Sequence, residues 1–349
     1  MTIVEKASSD KREIWYRTPD METGRPISEG AEQILGQYFP VLDHGFVSLV
    51  DYMGTDSSIE RAARVSYGYG TRQTNATRGL LRYLRRHLHT TPTEMVELKF
   101  HCCMPMFVAR QWIRHRTANV NEYSGRYSLM PMLFYTPTAE QLQFQSKQNN
   151  QGRNGSAVPD AKYQEAIARW NQIREQSRGA YEWMMSEDIA RELARIDLPL
   201  STYTQWYWKI DLHNLLHFLT LRVDSHAQWE IQEFGRIMAG MLKAVAPLTY
   251  EAWIDYDVCG ERLSRMELDV LRRLITVDGE TLKSAAAELD DAAQEAVGLS
   301  KRERAELLTK LAPKEKPDFE LDLLHAKPAS HFAERFASAV PCVDKSPSD

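Results

Sequence analysis

The stretch Val96-Glu97-Leu98-Lys99-Phe100-His101-Cys102-Cys103-Met104-Pro105 alternates apolar and polar residues over its first six positions. A period of two is the mark of a strand with one buried face. Pro105 ends it, and the run from Phe107 to His115 is read as a short helix. Upstream, His89-Thr90-Thr91-Pro92-Thr93-Glu94 has Thr91 as N-cap, Pro92 at the first helical position and Glu94 closing a capping box. Only one helical turn fits before the strand, and its three free N–H groups are expected to suit an anion. Downstream comes RHRTANVNEYSGRYS, residues 114–128, which carries no apolar period and is read as a polar loop. Turn, strand, helix and loop together present a site on a rigid base.

The loop's composition speaks to chemistry. Arg114, Arg116 and Arg126 offer planar guanidiniums that fork onto phosphate or carboxylate oxygens. Glu122, Asn119 and Asn121 can read a ring edge, and Tyr123 and Tyr127 can stack on its face. The residues alone point to a pocket for an anionic aromatic ligand, most simply a nucleotide.

Elsewhere the sequence alternates strand and helix signals. Gly45 to Tyr52 reads as a strand stopped by Gly54. Ser57 and Glu60 form a capping-box pair opening a helix through Ala62 and Ala63. Residues 66–76 are a Gly/Asn/Thr-rich loop, and a helix follows from about Thr77 to Leu88. Its Arg82, Arg85 and Arg86 are read as a solvated face or a subunit contact. Residues 141–159 are an amide-rich insertion loop with the composition of a mobile segment. A long helix is expected from about Asp160 to Ile196, with Trp170, Tyr181, Trp183, Met184 and Met185 in the core. Thr202 to Ile210 is aromatic and β-favouring, a second central strand whose Trp206 and Trp208 belong to a core or interface. Asp211 caps a helix with Leu212, Leu215, Leu216, Leu219 and Val223 on one face, and a further helix runs from about His226 to Val245, ended by Pro247.

The expected fold is therefore α+β: a central β-sheet flanked by long helices. We divide the chain into a flexible lead-in (1–30), a main domain (31–257), a helical C-terminal extension (258–312) and a loosely ordered tail (313–349). Lys and Arg number 43 against 48 Asp and Glu, a formal charge of −5, which argues against a general nucleic-acid coat. The polar N-terminal region has no apolar core of a signal peptide, and no run approaches the roughly 20 apolar residues of a membrane span. Among four cysteines, Cys102 and Cys103 are read as buried free thiols of a reducing, cytoplasmic protein.

The motif Arg114-His115-Arg116-x7-Ser124, extended by Asn121-Glu122-x-Ser124-Gly125-Arg126-Tyr127, resembles the signature of flavin-dependent thymidylate synthases. AARVSYG (62–68), HTTPTEM (89–95) and ARIDLPLSTYT…LHNLLHFLTLRVDSHAQWEI (194–231) resemble that family in the same order. The resemblance covers about residues 45–255. It implies a homotetramer, with active sites shared between subunits, that converts dUMP to dTMP using methylene-tetrahydrofolate as carbon donor, NADPH as reductant and FAD as hydride carrier. It places FAD against His89, Thr91, Arg114, His115, Arg116, Glu122, Asp211, His213 and His217. It places the nucleotide against Gln111, Trp112, Ile113, Arg114, Glu122, Tyr123, Ser124, Gly125, Arg126, Arg195 and Arg222, with Arg222 as the catalytic residue that activates the pyrimidine.

The physics fits these implied roles. Making C5 of uracil nucleophilic requires a fixed cation where negative charge develops, and a guanidinium stays protonated. No cysteine falls in the motifs, which agrees with a route lacking a cysteine nucleophile. On a helix His213 and Arg222 lie about 180° apart, so using both is simplest in a site shared between subunits. The family often carries Asn at the positions of Asp211 and His217, and there is no Gly-x-Gly-x-x-Gly, so FAD is not expected in a Rossmann manner. Ser124 reads as a nucleotide ligand because no base oriented by a third group is indicated. His213 and His217, spaced i, i+4, lack the third ligand a metal needs, so no metal is expected. The alternatives are a nucleotide- or RNA-binding module using the arginines and tyrosines, or a flavoprotein of other chemistry.

Overall fold

The computed structural model describes residues 26–65, 77–147, 152–267, 270–271, 318–321 and 325–339. The Gly/Asn/Thr-rich loop at 66–76, the lead-in to residue 25, Cys342 and the 258–312 extension beyond residue 271 lie outside them. The described elements run α1 (Glu29–Ile34), β1 (Tyr38–Val41), β2 (Gly45–Met53), α2 (Asp56–Val65), α3 (Thr77–Arg86), β3 (Glu97–Pro105), α4 (Met106–Trp112), β4 (Asn119–Glu122), β5 (Gln143–Gln145), β6 (Arg153–Ala157), α5 (Asp160–Ser186), α6 (Arg191–Ala194), β7 (Tyr203–Asp211), α7 (Leu212–Arg222), α8 (Trp229–Val245), α9 (Pro247–Trp253) and, far beyond, α10 (Ala329–Ser338). α1 begins inside the stretch read as a lead-in.

The strand read from alternation, β3, and the one read from its aromatic run, β7, lie side by side inside the sheet. The five-stranded sheet has the order β1-β2-β3-β7-β4, and every pair is antiparallel. Leu98, Phe100, Cys102 and Met104 of β3 face the same side as Trp206, Trp208 and Ile210 of β7, and all are buried. Helices α4, α7 and α8 close over that face, contributing Trp112, Leu215, Leu216, Phe218, Phe234 and Met238. The fold is α+β, as expected.

The opposite face is half polar. Lys99–Asp51 and Lys209–Glu97 ion pairs lie on its open part at 3.4 and 2.8 Å, and His101 stacks on Tyr207 at 4.9 Å. Its other end is apolar, formed by Phe46, Cys103, Tyr135 and Tyr203, and is covered by Phe332 and Phe336 of α10. The stretch 313–349 was expected to be a loose tail; α10 instead finds an apolar patch large enough to order it.

Several local expectations need correction. β4 is a strand where a loop was expected, because β7 offers an unpaired edge and backbone pairing outweighs a polar sequence. α2 starts at Asp56, not Ser57: the Thr55 N–H donates to Ser58 Oγ at 3.1 Å, and Glu60 serves Arg64 and Thr77 instead of a cap. Asp56 accepts from the N–H groups of Leu248 and Thr249 at 2.8 and 3.0 Å, so Pro247 does not only end α8: it opens α9 as its first residue. The expected helix to Ile196 breaks after Ser186, where Asp188 takes a left-handed φ of 54°, and Trp183 is 58% exposed. The insertion loop contains the β5–β6 hairpin, tied down by Arg153 on buried Glu230.

Arg78, Arg82 and Arg85 pair with Glu251, Asp255 and Asp257 at the end of α9. They lock α3 to α9 and the turn after it, so Arg82 and Arg85 are not the solvated face expected, whereas Arg86 is exposed. No helix among the described residues is long and apolar enough to cross a membrane.

Candidate active site

A cleft of about 690 Å³ opens where β4, α4 and α6 meet. Glu122, Tyr123, Ser124, Gly125 and Arg126 form one wall, Arg195 and Glu192 a second, and Ile113, Arg110, Thr204 and Trp206 much of the rest. Each wall has a local cause. β4 ends at Glu122, and the Tyr123 N–H still donates to Gln205 O at 2.8 Å. The chain then turns tightly, with the N–H groups of Tyr127 and Ser128 both on Ser124 O. Arg195 follows α6 directly, and α6 is tied to the turn by Arg191 on Tyr127 O at 2.7 Å.

Side-chain geometry within the cleft is defined. The Glu122 carboxylate accepts from Thr204 Oγ1 at 2.8 Å, and Thr204 is 1% exposed. A diagonal neighbour on the adjacent strand thereby fixes the carboxylate's aim. Arg126 pairs with Glu192 at 3.0 Å, but both side chains are about half exposed, so the pair is weak and an arriving anion can exchange with it. Gly125 is buried where a Cβ would meet Met130 Sδ at 2.6 Å and Arg195 Cδ at 3.0 Å. Only a residue without a side chain lets Arg195 lie against the turn. Ser124 Oγ accepts from the Arg126 N–H at 3.3 Å, whereas His115 is engaged with Thr117 at 3.0 Å. The arrangement supplies no oriented base for a nucleophilic serine.

The remaining candidates form three other groups. Arg114 and Arg116 are exposed and, with Ile113, line a separate pocket of about 470 Å³. His115 is buried beside His217, their rings 5.7 Å apart, and Arg222 lies over Phe218 at 5.9 Å, against which His115 also packs. Burial, then the nearby His217 and Arg222, holds the His115 pKa below its usual 6.5. Burial likewise lowers Arg222, from so high a value that it stays protonated. His213 Nδ1, Arg222 Nε and Gln111 Oε1 are buried without a partner among the described residues, as expected of groups that wait for a ligand.

His89 and Thr91 line a third cleft of about 580 Å³ with Leu80, Tyr83, Pro92 and Met95, and Tyr83 and His89 stack at 5.9 Å. The turn beside it is not the anion site expected. Thr93–Met95 is a single 3₁₀ turn, and the N–H groups of Thr93, Glu94 and Met95 are spent on Thr90, Thr91 and Pro92 carbonyls. Thr93, not Thr91, bonds the turn's backbone through its hydroxyl, which leaves the exposed Thr91 side chain to the cleft. Asp211 caps α7, accepting from Asn214 N at 2.9 Å and Asn214 Nδ2 at 2.7 Å.

Trp112 needs correction as a substrate contact. Its side chain is 0% exposed, edge-on to Trp206 and Trp208 and stacked on Phe218 at 5.0 Å. The α4 turn that exposes Arg110 and Ile113 turns Trp112 inward. Thr204, Glu192 and Arg110 are the polar cleft residues that sequence reasoning missed; Thr204 lay in plain view on an aromatic strand, but only the pairing of β4 with β7 gives its hydroxyl a partner.

A family model described as thymidylate synthase complementing protein matches residues 48–248. The chain belongs to that family. It is 45% identical over 300 residues to the flavin-dependent thymidylate synthase of Rickettsia bellii, covering 82% of this chain and 97% of the relative. It is 47% identical over 294 residues to the one from Gluconobacter oxydans, covering 83% and 93%. Among solved structures, a UMP/dUMP methylase from Streptomyces cacaoi bound with 5-Br dUMP is similar with a TM-score of 0.57 and 31% identity, over 62% of this chain and 97% of that one. The matched span includes both the Glu122 cleft and the α7 cluster; it excludes α10.

The residues present suit the flavin that the family implies. The α7 group offers unpaired buried nitrogens, and the His89–Thr91 cleft offers an apolar wall with a stacked aromatic pair. Cys102 and Cys103 do not suit nucleophilic attack: both are buried, with burial pushing both thiols up, and no cysteine among the described residues lines the Glu122 cleft.

Proposed function

We infer that this protein is an FAD-dependent thymidylate synthase. It methylates dUMP reductively to dTMP, taking carbon from methylene-tetrahydrofolate and reducing equivalents from NADPH, without a cysteine nucleophile. The observation that carries the reading is the convergence of the Glu122, Ser124, Gly125 and Arg126 stretch with Arg195, from a distant part of the chain, on one cleft.

In this reading Arg126 and Arg195 hold the phosphate by charge-assisted bonds. Glu122, aimed by Thr204, and the Ser124 hydroxyl fix the sugar and base. Arg222 supplies the fixed positive charge beside the pyrimidine carbonyls, so that C5 gains electron density and attacks the methylene carbon. When bound, FAD supplies hydride transfer; His89, Thr91, Arg114, His115, Arg116, Asp211, His213 and His217 would hold it.

Arg222 does not line the Glu122 cleft of its own chain. The exposed edge strand β4 and exposed Val120, Tyr127, Ile196 and Leu200 surround that cleft. These features favour the homotetramer in which a neighbouring subunit brings α7 to the nucleotide. The test is release of the C5 hydrogen of dUMP with NADPH and methylene-tetrahydrofolate. The wild type is expected to carry yellow flavin and release the label, and Arg222→Ala to keep its flavin and lose release. A colourless protein that FAD cannot reconstitute, or undiminished release by Arg222→Ala, would overturn the reading.

A further inference from the structure

We propose that the C-terminal helix α10 is a positioning element for the nucleotide turn, acting through Phe336 on Tyr123; the proposal rests on the Glu122 cleft being the dUMP site. β4 pairs Glu122 with Trp206, and strand alternation then sends Tyr123 to the opposite face of the sheet. There its ring meets Phe336 edge-on, with centroids 5.5 Å apart and planes at 78°. The Tyr123 hydroxyl donates to Leu129 O at 2.5 Å, closing the turn that carries Ser124, Gly125 and Arg126. Tyr123 is thus a pin at the sheet edge: it still lines the cleft, while α10 meets its ring through Phe336.

The far end of the same segment is gripped as well, because the Met132 N–H donates to Ala339 O at 2.8 Å. α10 is itself anchored to the body. Phe332 stacks on Tyr38 at 5.9 Å, and the Lys327 N–H donates to Tyr38 O at 3.1 Å, capping the free edge of β1. Upstream, Leu321 sits on α8 at Gly240, where a Cβ would come within 2.8 Å of it. None of the described α10 side chains lines the cleft, so the influence proposed for it passes through the turn. The family-model match ends at residue 248, so α10 lies outside the matched span.

The test uses the full-length, FAD-loaded enzyme and calorimetric binding of dUMP. Losing an edge-to-face aromatic contact predicts roughly 3–10-fold weaker dUMP binding in Phe336→Ala. Flavin content and turnover at saturating dUMP are expected to stay at wild-type values, and Phe336→Tyr to restore the affinity. In a Tyr123→Leu background the Phe336→Ala change is expected to cost nothing more. Wild-type dUMP affinity in Phe336→Ala, or the same loss with Tyr123 already replaced, would overturn the proposal. If Phe336→Ala does not fold, Phe336→Leu, which keeps the volume and removes the ring, is read by the same two outcomes. A wild-type protein that binds no dUMP would instead sink the functional reading beneath it.

Discussion

Gly125→Ala puts the proposed nucleotide site to a sharp geometric test. The new methyl group would lie 2.6 Å from Met130 Sδ, 3.0 Å from Arg195 Cδ and 3.2 Å from Arg195 Nη1. Met130 is 2% exposed and packed among Phe134, Tyr181 and Leu198, so it has little room to retreat. The half-buried Arg195 side chain can swing out, and we expect it to give way. The folded protein then loses about 1–3 kcal/mol to overpacking. The ligand loses one charge-assisted bond, about 1.5–3 kcal/mol, or about 10–150-fold in affinity. Steady-state kinetics should therefore show KM for dUMP raised by one to two orders of magnitude, while NADPH-driven flavin reduction is unchanged. In an Arg195→Ala background the same substitution should raise KM far less, because only the Met130 contact then remains. A Gly125→Ala enzyme with wild-type KM, or with its full penalty when Arg195 is already gone, would refute the claim that Gly125 exists to admit Arg195.

Thr204→Val keeps the buried volume and deletes the hydroxyl that aims Glu122; we expect about a tenfold rise in KM for dUMP with little change in melting temperature, and an unchanged KM would count against that role. Mixing Arg222→Ala with Glu122→Ala subunits should recover part of the C5-release activity that each lacks, since hybrids contain one intact shared site; no recovery despite subunit exchange seen by mass spectrometry would contradict a shared site. Acid stability tests His115. Its folded pKa is held below 6.5 by burial, then by His217 and Arg222, so below that pH the unfolded chain binds more protons. Stability therefore falls as pH drops below about 6.5, and above it His115 contributes no slope. His115→Gln should flatten the fall in urea midpoint between about pH 7.5 and 5.5, leaving the part due to His44 and His101, which burial also holds low; an unaltered slope would remove His115 as a source.

Local chemistry made much of this protein legible in its sequence. The alternation of Leu98 and Phe100 with Lys99 and His101, the i, i+3, i+4 spacing of Leu212, Leu215, Leu216 and Leu219, and the Asp211 cap are short-range facts, and all appear in the structure. The 114–127 motif likewise held Glu122, Tyr123, Ser124, Gly125 and Arg126, which the structure brings to one cleft. Tertiary pairing decided the rest. A free edge on β7 turned a polar loop into β4, so Thr204 acquired a carboxylate to orient. An inward turn of α4 took Trp112 out of the candidate site. Arg114 and Arg116 were separated from Glu122, and Arg222 was placed outside the cleft of its own chain. A tail with no evident sequence signal became a helix because Phe332 and Phe336 found an apolar patch built by Phe46, Tyr38 and Tyr203. Sequence patterns report the neighbours three or four residues away; they carry no record of which distant surface is left uncovered, and here the uncovered surfaces set the geometry of the site.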